Sequence, residues 1–187
     1  EEKMNMNSFI VGKRVILRTL CIKDVKGPYV SWFNDEVVCR YNQHHVFAYD
    51  KSQAEEYIRK ATASRSELVL AINTKRGAKH IGNIALQKID LVSRNAMVSI
   101  VLGDKDYWGK GYAKEALSLL LEHGFSQMNL HRIYCATTAD NVAMQNLAIS
   151  VGMKKEGRRR EAAFKTGSYV DVIEYGLLRS KFNSLKT

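Results

Sequence analysis

The stretch DYWGKGYAKEA, residues 106–116, joins an apolar run, NAMVSIVLG (95–103), to a segment of different period. In that segment Ala113, Ala116, Leu117, Leu120, Leu121, Gly124 and Phe125 follow the three-and-four spacing of a helix with one buried stripe. A strand ending at Gly103 and a helix starting near Gly111 leave the first-turn N–H groups without intrahelical acceptors, at the positive end of the helix dipole. Gly109 and Gly111 carry no side chain to hold an anion away from those groups, and Lys110 adds a charge. The junction therefore reads as a phosphate site. A Walker loop requires G-x-x-x-x-G-K-[ST], which is absent, and a dinucleotide fingerprint requires a third glycine where Lys114 stands, together with a parallel sheet.

Upstream of this junction, RVILRTL alternates apolar and other residues as a strand does, and Lys23 to Tyr41 reads as one or two short helical pieces around the only proline, Pro28. DKSQAEEYIRKATAS opens on a capping-box pattern, Asp50 with Gln53, and carries Ala54, Tyr57, Ile58 and Ala61 on one helical face. ELVLAINT, HIGNIALQKID and NAMVSIVLG are β-prone runs separated by KRGAK and LVSRN, the pattern of an antiparallel meander. Downstream, HRIYCATT is a strand and Asn141 to Val151 a short helix ended by Gly152. MKKEGRRREAAF and SYVDVIEYGLL form a closing hairpin through KTG. The order β, α, α, β, β, β, α, β, α, β, β predicts an α+β fold: one mixed, mostly antiparallel sheet of six to seven strands flanked by about four helices. Residues 1–8 are expected to be a flexible N-terminus, with Met4 and Met6 as candidate start residues, and 9–187 one domain.

Composition narrows the function. Lys and Arg exceed Asp and Glu by 29 to 19, a net charge of +10 that attracts anions and slows the approach of small polycations. The local cluster Lys154, Lys155, Arg158, Arg159 and Arg160 has no aromatic and basic surface motif around it, which argues against a nucleic-acid module. Three widely spaced cysteines and scattered histidines give neither a disulfide framework nor metal-ligand spacing, so no metal is expected. The N-terminal EEKMNMNSF lacks the basic and then apolar pattern of a signal peptide, and no 18-residue apolar span occurs, so a cytoplasmic protein with no membrane segment is expected.

In this element order, WGKGYA resembles the pyrophosphate loop, [QR]-x-x-G-x-[GA], of the GNAT superfamily of acyl-CoA-dependent N-acetyltransferases. The resemblance runs from about Lys13 to Phe182 and includes NVAMQNLAISVGMKK, where the family has a cofactor-contacting asparagine (Asn141) and a closing Gly-Phe pair (Gly152-Met153). The runs GPYVSWFNDEVVCRY and GSYVDVIEYGLL resemble the branch of ribosomal-protein N-terminal, spermidine and amino-sugar acetyltransferases.

This resemblance implies acetyl-CoA as cosubstrate and direct attack of a primary amine on its thioester. It implies a splay between the fourth and fifth predicted strands, with pantetheine bonded near Ile100, Val101 and Leu102, and phosphates held by Trp108, Gly109, Lys110, Gly111, Tyr112 and Ala113. Trp108 is expected to pack over the loop and leave its backbone N–H free. Asn141 either caps its helix or touches the cofactor, and the two roles are compatible. The chain departs from the family where protons move: Ala148 stands at the usual tyrosine, Met144 at the branch serine and Met97 at the usual carboxylate. Glu67, Asp90, His44, His45 and Tyr169 are the replacements in reach, and Glu67 is the one chosen as catalytic. Trp32, Asn34, Asp35 and Tyr169 are assigned to the acceptor wall. The acceptor is expected to be a peptide N-terminus or an amino sugar, with polyamine behind, and the protein a monomer or homodimer. A non-catalytic acyl-CoA-binding sensor of the same fold is the rival class.

Overall fold

The computed structural model describes residues 8–184. Eight strands form one sheet: β1 (Ser8–Val11), β2 (Val15–Thr19), β3 (Leu68–Thr74), β4 (His80–Asp90), β5 (Asn95–Leu102), β6 (Arg132–Thr138), β7 (Lys154–Lys165) and β8 (Ser168–Leu178). Their spatial order is β1-β2-β3-β4-β5-β6-β8-β7. Every neighbouring pair is antiparallel except β5 with β6. Five α-helices accompany them: α1 (Tyr29–Phe33), α2 (Lys51–Ala63), α3 (Tyr112–Ser126), α4 (Val142–Ser150) and α5 (Arg179–Ser184). Two 3-10 turns lie at Ile22–Lys26 and Lys105–Tyr107.

The architecture is the expected α+β one with one strand and one helix more. The extra strand, β1, is short, largely exposed and at the sheet edge, so it has no alternating apolar signature. Ser8, placed with the flexible terminus from sequence, opens that strand, while residues 1–7 lie outside the described residues. The extra helix, α5, is a six-residue C-terminal piece that buries only Phe182.

The sheet separates two cores. Against one face α3 packs Ala116, Leu117, Leu120, Leu121 and Phe125 onto Ile84, Leu86, Val98 and Ile133. Against the other, α1 and α2 bury Tyr29, Trp32, Phe33, Ala54 and Ile58 with Val69, Ala71 and Ala85. The α2 capping box forms as its sequence requires: Asp50 Oδ1 accepts from the Gln53 N–H and Gln53 Oε1 from the Asp50 N–H, both at 2.9 Å. Beneath α1, Arg18 Nη1 donates to Asp24 Oδ2 at 2.9 Å, a buried pair that ties the first 3-10 turn to β2. The basic cluster lies on edge strand β7, where Arg158 pairs with Asp171 and Arg159 with Glu174 on β8. Charge on an outer strand also discourages edge-to-edge aggregation.

Candidate functional site

The parallel β5–β6 pairing is brief. Asn95, Ala96 and Met97 face Arg132, Ile133 and Tyr134, and no residue of β5 after Met97 has a partner on β6. Val98 to Leu102 still pair with β4 on the other side. Successive residues of an antiparallel strand turn their N–H and C=O to alternate sides, so this segment presents unpaired backbone groups to the gap. Side chains alternate as well: Ile100 and Leu102 pack toward α3, Val101 toward α1 and α2. Two parallel strands that part after three pairs make the expected splay.

At the end of that open edge the chain turns through Lys105–Tyr107 into the glycine-containing loop. Asp104 caps the turn by accepting from the Asp106 N–H at 3.1 Å. Gly109 has φ 68° and Gly111 φ 80°, the left-handed region where a Cβ is strained. A Cβ at Gly109 would meet nothing within 4 Å, so the loop surface there is open. The first helical bond of α3 runs from the Glu115 N–H to the Gly111 carbonyl, leaving the N–H groups of Tyr112, Ala113 and Lys114 without intrahelical acceptors. Among the described residues no protein acceptor takes the N–H of Gly109, Lys110 or Gly111 either. A run of unsatisfied donors at a helix start, on glycines in left-handed conformation and beside Lys110, fits a diphosphate.

Trp108 behaves differently from the expectation. Its backbone N–H donates to the Lys105 carbonyl at 3.1 Å and is not free for phosphate. Its indole Nε1 donates to the Leu102 carbonyl at 2.7 Å, which occupies that acceptor on β5. The remaining loop residues keep their open amides. Asn141 caps α4, accepting from the Met144 N–H at 3.2 Å, while its amide Nδ2 donates to Thr137 Oγ1 at 2.8 Å.

Of the residues expected at the acceptor wall, Trp32, Asn34 and Asp35 lie in or just after α1. Trp32 is buried beneath Gly103: a Cβ on that glycine would sit 2.0 Å from the indole. Asn34 latches the 35–49 segment to α1, accepting from the Tyr49 N–H at 2.9 Å and donating to the Tyr49 carbonyl at 2.6 Å. Asp35 accepts from Lys105 Nζ at 2.6 Å, and that contact, with the Val38 and Val37 N–H groups, holds its carboxyl below the usual range. One ion pair thus joins the 35–49 segment to the turn that precedes the glycine loop. Tyr169 stands exposed on the hairpin in a T-shaped contact with its cross-strand partner Phe164, centroids 5.1 Å apart. Lys165, at the same hairpin tip, donates to the carbonyls of Asn42 and Cys39 and so fastens the hairpin to the 35–49 segment.

Glu67 directly precedes Leu68, which pairs with Leu86; in the next row Gln87 pairs with Met97 and Met97 with Tyr134. Leu68 packs toward α3 and Val69 toward α2, so alternation puts Glu67 on the α2 side, in line with the mouth of the splay. Burial and the Glu67 carboxylate push the Tyr57 phenol of α2 up to about 12. Of the other candidates, Asp90 is engaged within the β4–β5 turn, accepting from the Val92 and Ser93 N–H groups, and His44 lies against α1, packed on Phe33 with centroids 4.4 Å apart. Ala148 is fully buried, and Met144 is half-buried against the α3 core. Among the described residues no three His, Cys, Asp or Glu side chains converge as a metal would need, and no helix is long and apolar enough to cross a membrane.

Sequence reading missed Arg14. Its guanidinium donates to Glu115 Oε2 and to the Lys110 carbonyl, both at 3.0 Å, and lies over the Tyr112 ring at 4.8 Å. Its only sequence signal is a basic residue opening an alternating strand.

The comparisons agree with this geometry. Residues 14–154 match the family model described as an acetyltransferase (GNAT) domain. The "uncharacterized N-acetyltransferase p20" of Bacillus licheniformis is 28% identical over 177 residues, covering 91% of this chain and 96% of that protein. Spermidine N(1)-acetyltransferase of Vibrio cholerae is 31% identical over 102 residues, 54% of this chain and 58% of its own length. Among solved structures, spermidine N-acetyltransferase from Vibrio cholerae with CoA and spermine superposes with a TM-score of 0.84 at 24% identity, covering 92% of this chain and 99% of that one. A ribosomal L7/L12 alpha-N-protein acetyltransferase with coenzyme A gives 0.82 at 17%, covering 90% and 96%. With a splayed sheet, an open glycine loop and a family match across most of its length, this chain belongs to the GNAT family and is an N-acetyltransferase.

Proposed function

We propose that this protein transfers the acetyl group of acetyl-CoA to a primary amine on a peptide N-terminus or an amino sugar. The observation that carries the reading is the run of unsatisfied loop amides, Gly109 to Lys114, set at the end of a strand edge that has lost its partner. Acetyl-CoA, when bound, supplies an activated thioester. The loop amides and Lys110 hold its diphosphate, and the free edge at Ile100, Val101 and Leu102 bonds the pantetheine arm, with the Leu102 carbonyl reserved for Trp108. An edge N–H is also the donor type that stabilises negative charge building on a carbonyl oxygen, with no special side chain required. Holding both reactants in the cleft removes much of the entropic barrier.

An amine of pKa near ~10 reaches the site protonated and must lose that proton. Glu67, on the α2 side of the sheet and in the row of Met97, is the carboxylate we assign to accept it, directly or through water. Trp32 walls the acceptor side from below, Asn34 and Asp35 shape the 35–49 segment, and Tyr169 stands on the hairpin opposite. Of the acidic side chains on this side, Glu55 pairs with Arg59, Glu56 with Lys60 and Asp35 with Lys105, while Glu36 and Glu67 have no ion pair among the described residues; a net charge of +10 is what ranks a polyamine behind the other two acceptors. Met97, Met144 and Ala148 carry no exchangeable proton, so the proton steps fall to Glu67 or to water.

Mass spectrometry after incubation with acetyl-CoA and three amines, a ribosomal peptide, an amino-sugar nucleotide and spermidine, tests the assignment. One added acetyl group on the peptide or the sugar is expected. Spermidine as the sole product would overturn the acceptor, as would coenzyme binding with neither the peptide nor the sugar acetylated.

A further inference from the structure

Arg14 lies on neither the open strand edge nor the glycine loop, yet it reaches the loop from the opposite end of the chain segment. Its backbone N–H and that of Val15 donate to Glu115 Oε1 at 2.7 and 3.2 Å, and its Nε donates to Glu115 Oε2 at 3.0 Å. Glu115 is thereby fixed in the first turns of α3. Nη1 donates to the Lys110 carbonyl at 3.0 Å. A guanidinium has five N–H donors, and those two contacts leave three, one on Nη1 and both on Nη2. Nη2 lies 3.1 Å from where a Cβ of Gly111 would stand, and among the described residues it has no protein acceptor. The group is half-exposed, so it can meet a ligand without crossing the protein.

The loop's own first side chain, Trp108, is committed to Leu102, and its positive charge comes from two flexible lysines, Lys110 and, in the first turn of α3, Lys114. A planar fork that already grips the loop backbone holds its remaining Nη2 donors at a fixed place for phosphate oxygens, which a flexible lysine does not.

We propose that Arg14 is a coenzyme-binding and positioning residue: Nε and Nη1 brace the glycine loop while Nη2 contacts the diphosphate. The inference rests on the coenzyme reading above. Calorimetry of Arg14→Gln and Arg14→Lys with CoA, dephospho-CoA and pantetheine tests it, since dephospho-CoA keeps the diphosphate but lacks the 3′-phosphate and pantetheine lacks both. Wild-type protein binding CoA and dephospho-CoA, with Arg14→Gln weakening both by about tenfold or more and by the same factor, is the expected result. The slope of log Kd against log salt should also flatten in Arg14→Gln, a change that loss of bracing alone would not produce. Arg14→Lys, which keeps the charge but not the fork, should fall between the two.

Wild-type affinity in Arg14→Gln would overturn the proposal. So would a loss confined to CoA, which assigns the contact to the 3′-phosphate, or an unchanged salt slope, which leaves Arg14 a brace only. If Arg14→Gln fails to fold, Arg14→Lys decides: at least threefold weaker binding of both CoA and dephospho-CoA supports the assignment, and unaltered binding refutes it. A wild-type chain that binds neither nucleotide removes the coenzyme reading itself, and this inference with it.

Discussion

The indole N–H of Trp108 closes a 2.7 Å hydrogen bond onto the carbonyl of Leu102, fastening the first residue of the glycine loop to the last residue of β5. The two halves of the proposed coenzyme site, strand edge and amide loop, are therefore held in one fixed relation. A neutral hydrogen bond of this kind contributes about 0.5–1.5 kcal/mol. Trp108→Phe keeps an aromatic ring but removes the donor, and CoA affinity measured by calorimetry should fall roughly two- to tenfold with the fold intact.

Gly103 is the close-approach position between the sites, because Trp32 fills the space a side chain would need. Gly103→Ala must displace that buried indole, and overpacking of this sort costs about 1–3 kcal/mol. Urea unfolding should show that loss. The KM for the amine should rise more than the Kd for CoA, as the proposed place of Trp32 on the acceptor side requires.

Acid should destabilise the protein in two stages. Burial pushes the His80 ring toward its neutral form and places its folded pKa below the ordinary 6.5. Between those two values the unfolded chain binds a proton that the folded chain refuses, so stability is complete above about pH 6.5 and falls as pH drops below it. Burial pushes the Asp24 carboxyl up, but the bonds from Arg18 and the Cys21 N–H outweigh it and the net shift is below 3.8. That contribution persists above about pH 3.8 and is lost as pH falls through the lower folded value. His44 and His123 are also lowered by burial. Urea midpoints taken from about pH 5 to 7.5 should therefore rise with pH, with a shallower slope in His80→Gln rather than a flat one.

Removing the Glu67 carboxylate should slow proton transfer without touching the coenzyme. Glu67→Gln is expected to lower kcat by about 10²-fold or more, and to remove an ionisation from the pH profile, with CoA affinity unchanged. An unaltered pH profile would return Glu67 to an ordinary exposed carboxylate and leave water as the base.

The glycine loop, the capping box of α2 and the closing hairpin were legible because each depends on local chemistry: positive φ at Gly109, Gly111 and Gly167, a side chain three residues from its cap, and period. The splay followed from resemblance, and strands that part after three pairs have no local signature. β1 escaped because an exposed four-residue edge strand carries neither period nor burial. Arg14 escaped for another reason. Its partner Glu115 lies 101 residues away, so in sequence it is indistinguishable from a solvated strand residue.

The central claim, that open main-chain amides at the start of α3 hold coenzyme A, is tested most directly by calorimetric titration of CoA into the folded wild type and Gly111→Glu. One CoA per wild-type chain and no binding by the variant is the predicted result. Equal binding by the two folded proteins, or none by the wild type, would contradict it.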